Sequence, residues 1–157
     1  MDQEQSFIQA TVPFFEGTLS IKGTEEAVFE IDYTTKKLVP SPGKGEVAKA
    51  ARQFEQYRDH QRQQFDFHYI IHSSSFFKKV FEKLANIPYG HVVSYQQLAA
   101  ISGSPKAARA VGQAMANNKL TIVIPCHRVI AADHSLGGFS GGLDLKRALL
   151  EHEGITL

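Results

Sequence analysis

Apolar residues alternate with polar ones at Leu19 and Ile21 after Gly17, and again at Phe29, Ile31 and Tyr33 after the turn-forming run Gly23-Thr24-Glu25-Glu26. A period of two sets one face of each segment on a core, so Phe7 to about Leu38 is expected to form an antiparallel meander of short strands. Pro40-Ser41-Pro42-Gly43-Lys44-Gly45 interrupts it as a loop. It is not a phosphate loop, because Gly45 follows Lys44 where Ser or Thr is needed and the leading glycine is missing. The period then lengthens. Val47, Ala50, Ala51, Phe54, Tyr57 and Arg58 form one stripe in a segment free of Gly and Pro, which predicts a helix from about Glu46 to Gln63 covering the sheet. Phe65 to Ser75 carries no helical period and is expected to connect two lobes, residues 1–73 and 74–157. His68 and His72 lie four apart, but without a helix they would not converge on a metal.

In the second lobe Phe76, Val80, Phe81 and Leu84 line one face of a predicted helix whose other face carries Lys78, Lys79 and Lys83; Ile87-Pro88-Tyr89-Gly90 stops it. Ser94 and Gln97 fit a capping box opening a short helix through Ile101. After the turn Ser102-Gly103, Ser104 is expected as N-cap and Pro105 as the first residue of a second helix running from Lys106 to Asn117. Two short helices around a Gly-containing turn make a helix-turn-helix pattern, with Lys106, Arg109 and Gln113 displayed by the second; many such hairpins bind nothing. Gly137 to Gly142 is a glycine-rich loop, either a flexible connector or a backbone able to approach a flat ligand closely. A last helix, about Asp144 to His152, buries Leu145, Leu149 and Leu150 and ends at Gly154. Glu153 sits against that helix's dipole, so it is either a solvated end residue or one held for a purpose.

Charge sharpens this picture. The net charge of +1 is unevenly spread: residues 1–73 carry net −3, residues 74–130 net +6 and residues 131–157 net −2. The positive block coincides with the helix pair and points to a polyanionic partner. The composition, 43% apolar and 21% charged, excludes disordered and fibrous classes. No apolar run approaches the roughly 18 residues of a membrane span, and the N-terminus lacks a secretory pattern, so a soluble, cytoplasmic chain without membrane partners is expected.

The one cysteine, Cys126, lies in Ile122-Val123-Ile124-Pro125-Cys126-His127-Arg128-Val129-Ile130, where a turn helped by Pro125 interrupts apolar backbone. Such a residue is either a small buried hydrophobe or a nucleophile. A free thiol, with a pKa of roughly 8.5, needs a base or cationic surroundings to react at neutral pH, and His127 and Arg128 are adjacent.

Taken in order, Ser94-Tyr95-Gln96-Gln97-Leu98-Ala99, Ala108-Arg109-Ala110-Val111-Gly112, Pro125-Cys126-His127-Arg128-Val129, Ser140-Gly141-Gly142-Leu143 and His152-Glu153-Gly154 resemble the methylated-DNA-protein-cysteine methyltransferases, which repair 6-O-alkylguanine. The resemblance spans about residues 76–154. It implies an α+β protein: an N-terminal ribonuclease-H-like small antiparallel sheet with a helix, and a C-terminal winged-helix-like helical domain with the helix-turn-helix. It implies a monomer acting on double-stranded DNA containing alkylated guanine, associated with the nucleoid when bound, with no cofactor and no metal.

The resemblance also implies residue roles. Cys126 is the alkyl acceptor, used once. His127 deprotonates it through a bound water, and Glu153 orients and charges His127. Tyr95 donates to guanine N3. The Ser140 amide faces the guanine oxygen, flanked by Phe139 and Gly141 in substrate binding, while the carbonyls of Cys126 and Val129 read the exocyclic amine. Asn118 is a hinge. Arg109 fills the gap left by the flipped base, with Lys106, Gln113, Ser94 and Arg128 also on DNA. Phe81 stands where a tryptophan is common, and the zinc site that some members build from N-terminal cysteines has no cysteines here. The other readings of these residues are a non-catalytic lesion sensor or winged-helix regulator, against which Cys126 argues, and a thiol hydrolase, against which the adjacency of Cys126 and His127 argues.

Overall fold

The computed structural model describes residues 7–139 and 141–157. The chain forms two compact units, one ending at Ile71 and the other starting at His72.

In the first unit, β1 (Ile8–Phe14), β2 (Gly17–Gly23) and β3 (Val28–Thr34) form an antiparallel sheet in that order, with Ile21 facing Ala10 on one side and Ile31 on the other. Their inward residues Ala10, Phe14, Leu19, Ile21 and Ile31 have no exposed surface, and neither do Val47, Ala50, Phe54 and Tyr57 of helix α1 (Gly45–Arg58). Phe14 stacks on Tyr57 at 6.1 Å between ring centroids. The aromatic stripe is therefore core.

Two expectations need correction. Helix α1 ends at Arg58, short of Gln63, because the chain turns at His60, whose φ of 60° is left-handed, and because the apolar stripe ends at Tyr57. The segment after it is more than a connector. Phe65, Phe67 and Tyr69 alternate, Phe67 is buried and packs 5.8 Å from Phe54, and the backbone on either side of Tyr69 bonds to Val28 through Val28 N to His68 O and Ile70 N to Val28 O, both 2.9 Å. A short stretch of strand pairing thus protects part of the β3 edge.

The second unit holds α2 (Ser75–Leu84), β4 (Val93–Ser94), α3 (Tyr95–Ile101), α4 (Ala108–Ala116), β5 (Val129–Ile130) and α5 (Leu143–His152), with a single 3-10 turn at Cys126–Arg128. Val80, Phe81 and Leu84 are the buried stripe of α2. The capping box at α3 forms in both directions: the Ser94 hydroxyl accepts from Gln97 N at 3.0 Å, and the Gln97 side chain accepts from Ser94 N at 2.8 Å. Helix α4 begins at Ala108, three residues after the expected first position Pro105. Ser104 does not cap it; Ala107 N bonds to Ser104 O at 2.9 Å, and Pro105 and Lys106 occupy that turn, where a pre-set proline φ suits the second position. Strands β4 and β5 pair in parallel, Val93 beside Val129 and Ser94 beside Ile130, which holds the start of α3 against the segment that follows Cys126. Among the described residues no helix is long and apolar enough to cross a membrane.

Candidate functional site around Cys126

The chain enters this site through a strained turn. Ile122 has a φ of 79°, and Val123 N bonds to Thr121 O at 3.0 Å across it, the rare γ-turn that a β-branched residue adopts only when its surroundings hold it there. Asn118, buried just past α4, does the holding: its side-chain oxygen accepts from Leu120 N at 2.9 Å, and its amide donates to Ile124 O at 3.0 Å. The same amide lies 3.2 Å from Cys126 Sγ. The expected hinge residue is thus also a hydrogen-bond donor to the sulfur.

Cys126 is buried, and burial pushes its thiol up to about 11, against the pull of the Asn118 donor and the positive charge of Lys146. Its neighbour His127 is fully buried. Nε2 of His127 is 2.8 Å from Glu153 Oε2, and both side chains have no exposure. Arg128 holds the other side of the carboxylate with Nε to Oε1 at 2.9 Å and a terminal nitrogen to Oε2 at 2.8 Å, while its remaining nitrogen donates to Ile87 O at 2.7 Å. Gly90 N adds a bond to Oε1 at 3.2 Å. Burial works to raise the Glu153 carboxyl, but the bonds from His127 and Arg128 outweigh it and keep it ionised, well below the usual carboxylate range. Burial lowers the His127 pKa against the pull of Glu153, so the ring is neutral at pH 7. An ionised Glu153 can only accept, which puts the His127 proton on Nε2 and leaves Nδ1 a bare lone pair. Nδ1 is buried and has no hydrogen-bond partner among the described residues.

The placement corrects one expectation. Arg128 is not a DNA-facing residue: its side chain is 7% exposed and its guanidinium is committed to Glu153 and Ile87, with the Tyr89 ring 6.0 Å from its central carbon. The dipole-opposed position of Glu153 is explained by this cation and by His127.

Beside the sulfur lies a cavity of about 270 Å³ lined by Tyr95, Gly112, Met115, Ala116, Cys126, Gly138 and Phe139. The hydroxyl of Tyr95 accepts from Gly138 N at 3.3 Å and keeps its own proton to donate. Gly137 is required beneath it, since a Cβ there would stand 2.7 Å from that hydroxyl on a φ of 70°. Gly141 admits Phe139, whose ring would be 2.9 Å from a Cβ. Ser140 lies outside the described residues. The carbonyl of Cys126 accepts from Val129 N, and that of Val129 accepts from Lys146 at 2.7 Å. Arg109 and Gln113 are exposed on α4, Lys106 is exposed in the turn before it, and the Ser94 hydroxyl is engaged in its cap.

Lys146 was not anticipated from the sequence, although a lysine between Leu145 and Leu149 on an apolar helix face was the available signal. It is fully buried, and its ammonium donates to the carbonyls of Val129, Leu136 and, at 2.9 Å, Gly138, tying α5 to the cysteine segment and to the glycine-rich loop. Burial lowers its pKa to about 8. Lys146→Met should cost about 1–3 kcal/mol by leaving buried carbonyls without a donor, which urea unfolding would measure.

The model of the 6-O-methylguanine DNA methyltransferase DNA-binding domain matches residues 75–155. A Methanosarcina barkeri methylated-DNA--protein-cysteine methyltransferase is 37% identical over 143 residues, covering 87% of this chain and 90% of that protein. The human protein of the same name is 50% identical over 91 residues, 57% of this chain but only 44% of its own length. A crystal structure of Mycobacterium tuberculosis O6-methylguanine methyltransferase superposes with a TM-score of 0.84 at 33% identity over 94% of this chain and 93% of that one. One of M. tuberculosis OGT in complex with DNA gives 0.81 at 34% identity over 91% and 90%. With matches running nearly end to end in both sequence and structure, the chain belongs to the methylated-DNA--protein-cysteine methyltransferase family.

Proposed function

We propose that the protein transfers an alkyl group from O6 of guanine in duplex DNA to its own Cys126, once and irreversibly. The observation that carries this reading is the buried Glu153–His127 pair, whose uncommitted Nδ1 lone pair belongs to the residue next to Cys126, while Cys126 itself lines a cavity large enough for a base. A base in a duplex is out of reach of a buried sulfur, so the nucleotide flips, at a cost of a few kcal/mol. The thiol proton passes through a bound water to His127 Nδ1, and Glu153 stabilises the imidazolium. The Asn118 amide and the Lys146 charge support the thiolate. Sγ attacks the alkyl carbon, the carbon–O6 bond breaks, and its electron pair stays on guanine, which takes a proton at N3 from Tyr95. The thiol's proton then returns to Tyr95 through solvent. The Cys126 and Val129 carbonyls read the exocyclic amine, and Phe139 and Gly141 take part in binding the base.

In this reading residues 74–157 are the DNA-binding and alkyl-acceptor domain, winged-helix-like with α3 and α4 as its helix-turn-helix, and residues 1–73 a ribonuclease-H-like sheet and helix. The protein acts as a monomer in the cytoplasm, on the nucleoid when bound. Lys106, Arg109, Gln113 and Ser94 face the DNA, and Arg109 fills the gap behind the flipped base. Arg109→Ala should therefore slow reaction with duplex DNA by about 10–100-fold while sparing reaction with free O6-methylguanine, which needs no flipping. Equal losses on both substrates in single-turnover assays would remove Arg109 from that role.

A further inference from the structure

One tight turn, distant in the chain, reaches the buried carboxylate. His91 N bonds to Pro88 O at 3.1 Å, and Gly90, at the third position of that turn, has a left-handed φ of 82°, the type II arrangement that favours glycine there. Such a turn leaves the N–H of its central peptide unused, and here that N–H, on Gly90, goes to Glu153 Oε1. Tyr89 makes a second tie. Its hydroxyl donates to His152 O at 3.1 Å, a carbonyl at the end of α5 that the helix's own N–H groups do not reach. Its ring stands 6.0 Å from the Arg128 guanidinium carbon, and Arg128 in turn donates to Ile87 O just before the turn. Glu153 is the C-cap of α5, and helix ends fray unless something fixes them. Two consecutive residues, each 63 positions from its partner, thus hold both the backbone beside Glu153 and its carboxylate. A phenylalanine at position 89 would keep the ring against Arg128; only the hydroxyl makes the tie to α5.

We propose that Tyr89 is a positioning residue for the alkyl transfer: by tying the end of α5 to the Pro88–His91 turn it sets Glu153 against His127 Nε2, and so determines how well His127 serves as the base for Cys126. The proposal rests on the alkyl-transfer reading. Of the charges that act on His127, those of Glu153, Arg128 and Lys146, the first is the one that Tyr89 places. With Glu153 less firmly set, His127 takes the thiol proton less readily, and transfer needs a more alkaline solution. The effect passes through the relay and not through DNA, so a free base and a duplex feel it equally. The test compares wild type, Tyr89→Phe and, as a control for lost stability, Thr18→Val in the first unit, where the hydroxyl donates to Lys36 O at 2.8 Å. Each variant removes one hydroxyl and should lower Tm by about 2–4 °C. Single-turnover transfer from free O6-methylguanine and from a duplex containing it is then followed across about pH 5–9. Tyr89→Phe should slow both reactions by the same factor, about 10-fold, and move the pH of half-maximal rate upward. Thr18→Val should react as wild type does at every pH. A wild-type rate and pH profile in Tyr89→Phe overturns the proposal. So does a loss confined to the duplex, or a loss with the half-maximal pH unmoved, which is what weaker folding alone would give; alkyl transfer stands in all three. A wild type that takes up methyl from neither substrate overturns both.

Discussion

Glu153→Ala should be among the most damaging single substitutions in this chain, costing about 3–5 kcal/mol of stability, because it strands the Arg128 guanidinium in a buried site and leaves His127 Nε2 without its acceptor. The loss would exceed that of an average core truncation for a residue of ordinary size. A charge-removing change at each end separates the pair from its desolvation: Glu153→Gln and Arg128→Met should each destabilise strongly, and the double variant should lose less than the sum, since neither partner is then left alone. The carboxylate also sets the acid limit. His127 and Glu153 both have folded pKa values below their unfolded ones, so in acid the unfolded chain binds more protons and stability falls as pH drops. The decline should begin below about pH 6.5, where an exposed histidine charges, and continue below about pH 4.3, where an exposed glutamate is protonated. In Glu153→Gln the lower part of that decline should flatten. Urea midpoints across pH 2–8 read both effects, and a wild-type midpoint independent of pH would contradict the assigned charge states.

Cys126→Ser should abolish transfer altogether while leaving the fold and lesion binding in place. The hydroxyl can still accept from Asn118, so the turn keeps its tie, but it is a far poorer nucleophile towards carbon at neutral pH. The variant should hold methylguanine DNA without changing it, seen as a stable gel-shift complex whose DNA returns with its methyl intact. Demethylation by the serine variant would place the acceptor elsewhere.

What was legible in the sequence followed from local pattern. Alternation around Leu19 and Ile31, the stripe from Val47 to Tyr57 and the Ser94–Gln97 box each depend on neighbours within a turn or two, and each formed as read. The errors arose where tertiary partners decide. Ser104-Pro105 is as good a tight turn as a helix start, and only the position of Ala107 chose between them. Arg128 beside a nucleophile looks like a surface cation until Glu153, 25 residues later, is found against it. The donor from Asn118 to Sγ and the reach of Lys146 to three carbonyls likewise arise from folding, because no periodicity brings those atoms together. The ordered motifs carried the family, and the geometry supplied how the sulfur, the ring and the carboxylate are held.

The most direct test of the transfer reading is an intact mass taken after incubation with an excess of duplex containing O6-methylguanine, with the amount of guanine restored followed over time. The protein should gain a single methyl group, peptide mapping should place it on Cys126, and repair should stop at one guanine per protein molecule, because a thioether is inert and the chain has no second cysteine to take the methyl onward. Guanine restored beyond one equivalent, or restored while the protein mass stays unchanged, would contradict it.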